Sequence, residues 1–405
     1  MNDGVLLRQK RLNMSFFAVW IMVITTCQWM MVDMYLPALP VLKEEFQCSE
    51  SVLNWSLNSG IVMSAVGTLI GGMLSDKYGR KVLVLLGMFI TTASCYAAAA
   101  SNGIVPLILF RGICGLGSGF ILSITAAMIK DSFEGQRFER TMTILQSVAV
   151  VGPIIAPASG SILINFYSWR FIFIILGTVT LITAIPMIIS TETLSKEDRI
   201  AGGFGNVFRE MVLIASNKGF ALFLGIMSFL TIPVWAYIAV SSYVYINEFG
   251  LSNMEYSVFY AFGSILSLVA PFVYMVLRKK FHTGRVVSIS IALVVLGAVE
   301  LFALGKITPI LFMIGVFALM LSEGIIRPLT MIVILEENPQ AVGTASSLTQ
   351  FLGNVVGVIG STVATLAWQS MITGIAVVSI VSGILGIACW IGIIKGRLVK
   401  SLMKQ

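Results

Sequence analysis

Long apolar segments separated by short polar stretches run through the whole chain. A membrane-spanning helix needs about 20 mostly apolar residues, and each segment is long enough to supply one. Twelve segments can be delimited: 14–36, 52–74, 81–100, 104–127, 139–162, 169–190, 219–246, 254–277, 285–305, 307–335, 341–367 and 371–395. Strands of a membrane barrel are shorter and alternate in polarity, so the pattern predicts an all-α polytopic membrane protein with 12 transmembrane helices.

The longest polar stretch, 191–218, lies between the sixth and seventh segments. A division into six and six is typical of transporters built from two repeats, which bind substrate near the bilayer midplane. We therefore expect an N-terminal six-helix bundle (1–190), a cytoplasmic linker (191–218) and a C-terminal six-helix bundle (219–405).

Composition narrows the class of protein further. Hydrophobic residues make up 57% of the 405 residues and charged residues only 11%, against about 25% charged residues in soluble domains. The single histidine and five cysteines are not spaced as metal ligands, and no phosphate-binding glycine-rich loop is present. We therefore expect no metal site, no cofactor and no enzymatic activity.

The basic residues indicate the orientation of the chain. Most of the 26 lysines and arginines lie in the N-terminal tail, in the C-terminus, and in the connections that follow the second, fourth, sixth and eighth segments. Lysine and arginine favour cytoplasmic loops, so both termini are predicted to be cytoplasmic. The same dispersal argues against a nucleic-acid partner, which requires a clustered basic face. The first segment lacks a cleavage site and is interpreted as a helix, not a signal peptide.

The connection after the second segment carries a dense motif. It reads Gly72-Met73-Leu74-Ser75-Asp76-Lys77-Tyr78-Gly79-Arg80-Lys81. This run resembles the loop signature of the major facilitator superfamily, G-x-L-a-D-r-x-G-r-k, and so implies that superfamily's fold. Gly72 would allow close approach of a neighbouring helix, and Gly79 a tight turn. The resemblance assigns the role of a conformational latch to Gly72, Asp76, Gly79, Arg80 and Lys81.

The fourth segment contains an arginine at an apolar position. Arg111 lies in the stretch 107–117, which resembles the second motif of the same superfamily, with Cys114 where that family often has glutamine. A guanidinium in hydrocarbon is costly, so it must face a partner or water. The alternative is an arginine that extends its side chain to the membrane interface.

Asp33, near the end of the first segment, is the most informative acidic residue. A carboxylate at this depth must be protonated, paired or hydrated, and a group balanced between desolvation and a nearby cation suits proton coupling. The alternative is a boundary residue that caps the Pro37 turn in water. Helical spacing places Asp33 on the same face as three candidate wall residues of a substrate cavity: Thr26, Trp29 and Met30.

The fifth segment carries Gly152, Pro153 and Pro157. These residues resemble, in part, the motif g-x-x-x-G-P-x-x-G of antiporting drug exporters, although Val148 replaces the leading glycine. The stretches 33–40, 130–140 and 343–350 are similar to the bicyclomycin/chloramphenicol-resistance (Bcr/CflA) branch of drug:proton antiporters. The resemblance implies a protein of the bacterial cytoplasmic (inner) membrane that exports small amphipathic compounds in exchange for protons. It also implies that Asp33 and Arg111 approach each other.

The C-terminal half offers further candidate cavity residues. Glu323 and Arg327 are four residues apart on one helical face and can pair; they either neutralise each other or recognise a charged or zwitterionic substrate. Trp235 and Tyr237 could form an aromatic wall, although such side chains are more often packing residues. Glu300 lies about one turn from the end of its segment and is interpreted as a solvated end residue.

Two transport functions follow from this pattern. The first is proton-coupled export of amphipathic drugs by alternating access; the second is dedicated export of one metabolite, such as an amino acid, sugar or siderophore. The expected partners are the small-molecule substrate, protons as the coupling ion, and the lipid bilayer around a monomer.

Overall fold

The computed structural model of the chain describes Leu6, Gln9, 12–195, 197, 199, 204–337 and 342–396, apart from some side chains in α6, α8, α12 and α13. Each predicted segment overlaps a helix, and the ends differ by a few residues. The helices are α1 (Met14–Asp33), α2 (Leu39–Phe46), α3 (Glu50–Tyr78), α4 (Arg80–Ala99), α5 (Ile104–Ser132), α6 (Gly135–Phe166), α7 (Trp169–Ile189), α8 (Phe204–Ser216), α9 (Lys218–Ser242), α10 (Asn253–Lys280), α11 (Thr283–Ala303), α12 (Pro309–Glu337), α13 (Val342–Ala364) and α14 (Met371–Gly396).

Ten of these elements are long and apolar enough to cross a membrane within the part of the chain that the structure describes. The remaining two predicted spans, in α6 and α13, show shorter apolar stretches there, Ile154–Phe166 and Leu348–Ala364. The predicted all-α membrane fold is confirmed.

The linker differs from the polar connection that its composition suggests, because Phe204–Ser216 forms the helix α8. Its apolar residues recur at helical spacing, and Ile214 is buried while Val212 and Leu213 are exposed. A second addition follows α1, where a 3₁₀ turn (Leu36–Ala38) leads into α2.

Local side chains and backbone geometry set several helix ends. Asn13 caps α1 by accepting a hydrogen bond from the Ser15 N–H at 2.8 Å. Ser252 and Glu255 form a reciprocal capping box at the start of α10. Gly79 separates α3 from α4 with a φ of +103°, a backbone conformation that glycine adopts without the strain a side chain would bring. The tight turn predicted for Gly79 is therefore present.

The chain divides into two compact units, and the boundary at 203/204 lies inside the predicted linker. The first unit contains Met1–Cys48 and Trp55–Gly203; the second contains Ser49–Asn54 and Phe204–Gln405. The first turn of α3 is thus grouped with the second unit. There Asn54 donates hydrogen bonds to the Ser361 carbonyl (3.3 Å) and to the Thr365 hydroxyl (3.2 Å).

In the first unit the core is built mainly from α1, α4 and α5. Trp20 joins α1 to α7 through an indole N–H bond of 2.8 Å to the Thr183 carbonyl. Glycines bring α3 and α5 into backbone contact, since a Cβ at Gly115 would lie 2.1 Å from the carbonyl oxygen of Gly60. The buried core residues include Phe17, Trp20, Ile21, Ile24, Val84, Met88, Ile121, Ile124 and Met128.

In the second unit, aromatic side chains from α9, α10, α12 and a π-helical turn (Tyr243–Glu248) pack together. Tyr237 stacks on Tyr260, with ring centroids 5.9 Å apart, and Tyr245 meets Phe312 edge to face at 5.2 Å. Away from such cores, large apolar side chains are exposed along the helices, among them Phe89, Leu109, Phe166 and Phe272. Bilayer lipid, not water, suits such surfaces.

Candidate functional site

Arg111 lies at the centre of a buried site in the first unit. Its residue is only 3% exposed, so the side chain does not extend to the membrane interface. Nε donates to the Ser56 carbonyl at 3.1 Å and Nη1 to the Met31 carbonyl at 3.0 Å. The rigid fork of donors on arginine lets one cation link α5 to both α3 and α1.

Aromatic rings cover the same guanidinium. Its Cζ lies 4.6 Å from the ring centroid of Tyr35 and 5.7 Å from that of Phe173. The Tyr35 hydroxyl forms a 2.7 Å hydrogen bond with the Ser56 hydroxyl, next to the carbonyl that Arg111 uses. Ring faces attract cations, so these contacts reduce the cost of burying the charge.

Asp33 is the last residue of α1 and is 6% exposed. The turn that follows it, Leu36–Ala38, is buried as well. The alternative of a water-exposed cap is therefore wrong. The carbonyl that binds Arg111 belongs to Met31, two residues before Asp33, so both charged residues lie at the same end of α1. Their predicted direct approach stays a prediction.

The glycines of α6 pack against the predicted cavity wall. A Cβ at Gly152 would lie 3.4 Å from the Trp29 Cβ and 3.7 Å from the Met30 Cγ. Eight residues later, a Cβ at Gly160 would lie 2.1 Å from the Met34 carbonyl oxygen. Gly152 and Gly160 thus allow α6 to pack closely along the half of α1 that ends in Asp33.

The other antiporter-motif and wall residues occupy the same region. Pro157 is buried in α6, whereas the Pro153 side chain lies outside the described residues. Thr26, Trp29 and Met30 are half-buried, and the Thr26 hydroxyl bonds to the Met22 carbonyl of its own helix at 2.7 Å. Gln28, which the sequence did not single out, is buried with no hydrogen-bond partner for either amide atom among the described residues.

Sulfur atoms lie beside this site. The Cys114 thiol is 3.6 Å from the Met31 sulfur and 3.5 Å from the Cys95 thiol. Contacts between sulfur atoms therefore occupy the position where the family that the motif resembles often has a glutamine.

The two aromatic candidates in the second unit, Tyr237 and Trp235, differ in burial. Tyr237 is 1% exposed and stacked in the aromatic core, so its burial favours packing over a place on an open wall. Trp235 is half-buried and packs on α13, where a Cβ at Gly357 would lie 2.2 Å from its ring.

Glu323 and Arg327 form the ion pair that their spacing predicts. The Glu323 side chain is 5% exposed and that of Arg327 69%. Exposed isoleucines earlier in α12, such as Ile310 and Ile314, mark its lipid side. Helical geometry places Arg327 about 100–140° around the helix from these residues, off the lipid side, where a cation in a spanning helix belongs.

The loop motif between α3 and α4 forms a polar network. Arg80 is ion-paired with Asp76, donates to the Ser75 hydroxyl at 2.6 Å and to Asp131 at 3.1 Å. The Lys81 ammonium donates to the carbonyls of Ile188 and Ser190, each at 2.7 Å. It thereby satisfies the C-terminal end of α7.

One expectation for this motif is wrong. Among the residues that the structure describes, a side chain added at Gly72 would meet no atom within 4 Å, so no helix of the first unit packs closely against this glycine. The close approach occurs instead at Gly67 and Gly71, whose added Cβ atoms would lie 2.3 Å from the Leu116 carbonyl and 2.9 Å from the Phe120 Cα. These two glycines share one helical face, and Gly72 lies about 100° away from it.

Sequence reasoning missed the acidic residue that completes the network. Glu192 accepts hydrogen bonds from the backbone N–H groups of Arg80 (2.9 Å) and Lys81 (3.2 Å). It also accepts from the N–H groups of Thr193 and Leu194. The local signal is weak, because Glu192 lies in a polar stretch far along the chain from the motif.

Comparison with known proteins identifies the family of the chain. The profile of the Major Facilitator Superfamily matches residues 21–361. The chain is 26% identical over 343 residues to a "Bicyclomycin resistance protein homolog" of Haemophilus influenzae, covering 83% of this chain and 85% of the relative. It is 22% identical to "Multidrug resistance protein MdtM" of Escherichia coli K12, covering 79% and 83%.

Solved structures agree on the fold. A peptide transporter POT in complex with sulfate superposes with a TM-score of 0.76 at 13% identity, covering 98% of each chain. The xylose transporter XylE of Escherichia coli gives a TM-score of 0.71 at 13% identity, covering 94% of this chain and 98% of that one. Relatives of the bicyclomycin-resistance type agree with the predicted branch. The chain belongs to the Major Facilitator Superfamily and is an integral membrane transporter, not an enzyme.

Proposed function

We propose that this transporter exports small amphipathic compounds, including drugs, from the bacterial cytoplasm in exchange for protons. The observation that carries the proposal is the burial of Asp33 and Arg111 at the same end of α1. A buried carboxyl near a fixed cation changes its proton affinity when either group moves. The names of the relatives, which refer to multidrug and bicyclomycin resistance, support the export of drugs.

In this mechanism the two halves alternate access to a central cavity. Protonation of Asp33 from outside favours substrate release there, and its deprotonation inside resets the transporter. One proton moving down a potential of 100 mV supplies about 2.3 kcal/mol. The half-buried Thr26, Trp29 and Met30 lie beside Asp33's helix end and would contact the substrate. Asp33 needs no cofactor for this step, since the proton itself is the coupling ion.

Flux into proteoliposomes with an imposed pH gradient tests the proposal. Asp33→Asn should abolish pH-driven transport but retain exchange of labelled for unlabelled substrate, because exchange requires no net proton movement. Glu44→Gln, at an exposed acid in α2, is the matched control and should transport as the wild type does. Full pH-driven transport by Asp33→Asn would refute the mechanism.

A dedicated exporter of one metabolite is the second candidate, and the Glu323–Arg327 pair favours it. A paired carboxylate and guanidinium suit a zwitterionic or charged substrate such as an amino acid. Growth of an expressing strain in a panel of unrelated antibiotics and dyes separates the two functions, since only a multidrug exporter protects against several of them.

The proposal includes a monomer with both termini in the cytoplasm. The positions of the lysines and arginines support this orientation. Reporter fusions at each terminus test it: an enzyme active only in the cytoplasm should be active at both ends.

A further inference from the structure

Glu300, in the last turn of α11, has a buried carboxyl group. Neither carboxylate oxygen is exposed to solvent, and neither has a hydrogen-bond partner among the residues that the structure describes. The expectation of a solvated end residue is therefore wrong. The side chain turns away from the helix end and into the interface with α12.

A glycine on α12 makes the space for this carboxyl. A Cβ at Gly315 would lie 2.1 Å from the Glu300 Oε2 and 2.6 Å from the Leu301 Cγ. Any side chain at this position would therefore displace the carboxyl. We call the space formed by Gly315, Glu300 and Leu301 the Gly315 notch.

The surroundings of the Gly315 notch are apolar and face the bilayer. Leu296, Val299 and Phe302, which flank Glu300 on α11, all have exposed side chains. Ile314, next to the notch on α12, is exposed too. Both helices are apolar enough to span a membrane, so the carboxyl lies at the hydrocarbon side of the protein.

Charged groups on the neighbouring elements do not compensate Glu300. The elements packed against α11 are α9, α10, α12 and α14, and the adjoining halves of α12 (309–322) and α14 (371–383) contain no acidic or basic residue. The titratable groups of the other elements at this end are Tyr237, Tyr243, Tyr245, Glu248, Glu255, Tyr256, Tyr260 and Lys306. Within the described residues, none of them pairs with the Glu300 carboxylate.

Two physical effects oppose a negative charge at this position. An unpaired carboxylate in a low-dielectric environment is far more costly than the neutral acid. The C-terminal turn of a helix also carries partial negative charge from its free carbonyl groups, which repels an anion. We propose that the Gly315 notch is a proton-binding site in which Glu300 is held as the neutral acid at neutral pH, shielded from water beneath the lipid-facing residues of α11 and α12.

This site is separate from Asp33, which lies in the first unit, and it does not depend on the proposed function. The neutral form of Glu300 can be detected by a chemical reaction. A neutral carboxylic acid adds its O–H bond across a C=N bond of a carbodiimide: the proton moves to nitrogen, oxygen bonds to carbon, and the adduct rearranges to a stable N-acylurea. Carboxylates do not undergo this addition, so labelling reports the protonated form.

The full-length protein in lipid nanodiscs is treated with the lipid-soluble N,N′-dicyclohexylcarbodiimide at about pH 8, where an ordinary glutamate is almost fully ionised. Mass spectrometry of the peptide that contains residue 300 measures the adduct. We expect strong labelling with this reagent and little with a water-soluble cationic carbodiimide. Glu300→Gln should remove the label.

Gly315→Ala tests the notch itself. If the added methyl group displaces the carboxyl into a polar environment, where a glutamate is almost fully ionised at about pH 8, the labelled fraction falls by more than about tenfold. Gly353→Ala is the matched control, because the atom nearest to its added Cβ is 3.9 Å away, and it should label as the wild type does. Size-exclusion profiles identify variants that have unfolded.

The proposal is overturned if Glu300 in the folded wild type is unlabelled at about pH 8 while acid-denatured protein is labelled. It is also overturned if the water-soluble reagent labels Glu300 as well as the lipid-soluble one. A second readout does not depend on labelling. Because the neutral acid is the native form, rising pH should destabilise the wild type relative to Glu300→Gln in thermal unfolding, and the opposite trend contradicts the proposal.

Discussion

The carboxylate of Glu192 accepts a 2.9 Å hydrogen bond from the backbone N–H of Arg80, although the two residues are 112 positions apart. Gly79, the residue before α4, supplies no side-chain cap. Glu192 therefore serves as a distant cap for the helix, and its negative charge lies at the positive end of the α4 dipole.

Glu192→Ala should destabilise the protein by about 1 kcal/mol, the usual cost of losing an N-terminal cap. Thermal or denaturant unfolding of the purified protein in detergent micelles measures the change. Glu197→Ala, at an exposed position in the same linker, should leave stability unchanged. Equal stability of the two variants would contradict the capping role.

Arg111→Lys should impair transport strongly even though the charge is kept. A lysine ammonium lacks the planar fork that reaches the carbonyls of both Ser56 and Met31. Leaving a buried acceptor without its donor costs about 1–3 kcal/mol. The initial export rate and unfolding midpoint are the measurements. Arg170→Lys is the control, because Arg170 forms a partly exposed pair with Glu45; comparable losses in both variants would refute the specific role of Arg111.

Two glycines of α6 should respond differently to the same substitution. Gly160→Ala places a methyl group 2.1 Å from the Met34 carbonyl oxygen, and such overpacking costs about 1–3 kcal/mol. Gly152→Ala makes a contact of 3.4 Å and should cost much less. Unfolding midpoints of the two variants, compared side by side, provide the test. The reverse order would show that α1 and α6 pack differently from this structure.

Removal of Arg327 alone should destabilise the protein more than removal of both Glu323 and Arg327. Arg327→Gln leaves the buried Glu323 carboxylate without its cation, at a cost of about 1–3 kcal/mol or more for a charged group. The double variant Glu323→Gln/Arg327→Gln should recover much of this stability. A double-mutant cycle of unfolding free energies measures the coupling. Additive effects of the two substitutions would show that the pair contributes nothing to stability.

The sequence predicted best those features that depend on residues close together along the chain. Apolar segment length predicts the spanning helices, because lipid requires each segment to satisfy its own backbone. The pairing of Glu323 with Arg327 follows from their spacing on one helix, and the turn at Gly79 follows from the residue type.

Features that depend on distant parts of the chain could not be predicted in this way. The bonds from Arg80 to Glu192 and from Arg111 to Ser56 depend on how helices pack. Burial of Tyr237 depends on rings from two other helices. The position of Gly72 shows the same limit, because a motif identifies a small residue but not the face that meets a neighbour.

The contact between α1 and α6 joins backbone to backbone at Met34 and Gly160. Because glycine has no side chain, nothing flexible lies between the Gly160 backbone and the Met34 carbonyl oxygen to absorb a displacement. The end of α1 that carries Asp33 and the part of α6 that carries Pro157 are therefore expected to move together as one rigid body. In the proposed mechanism, a change of charge at Asp33 that shifts the end of α1 would also move α6, so that the gain or loss of a single proton would act on a pair of helices.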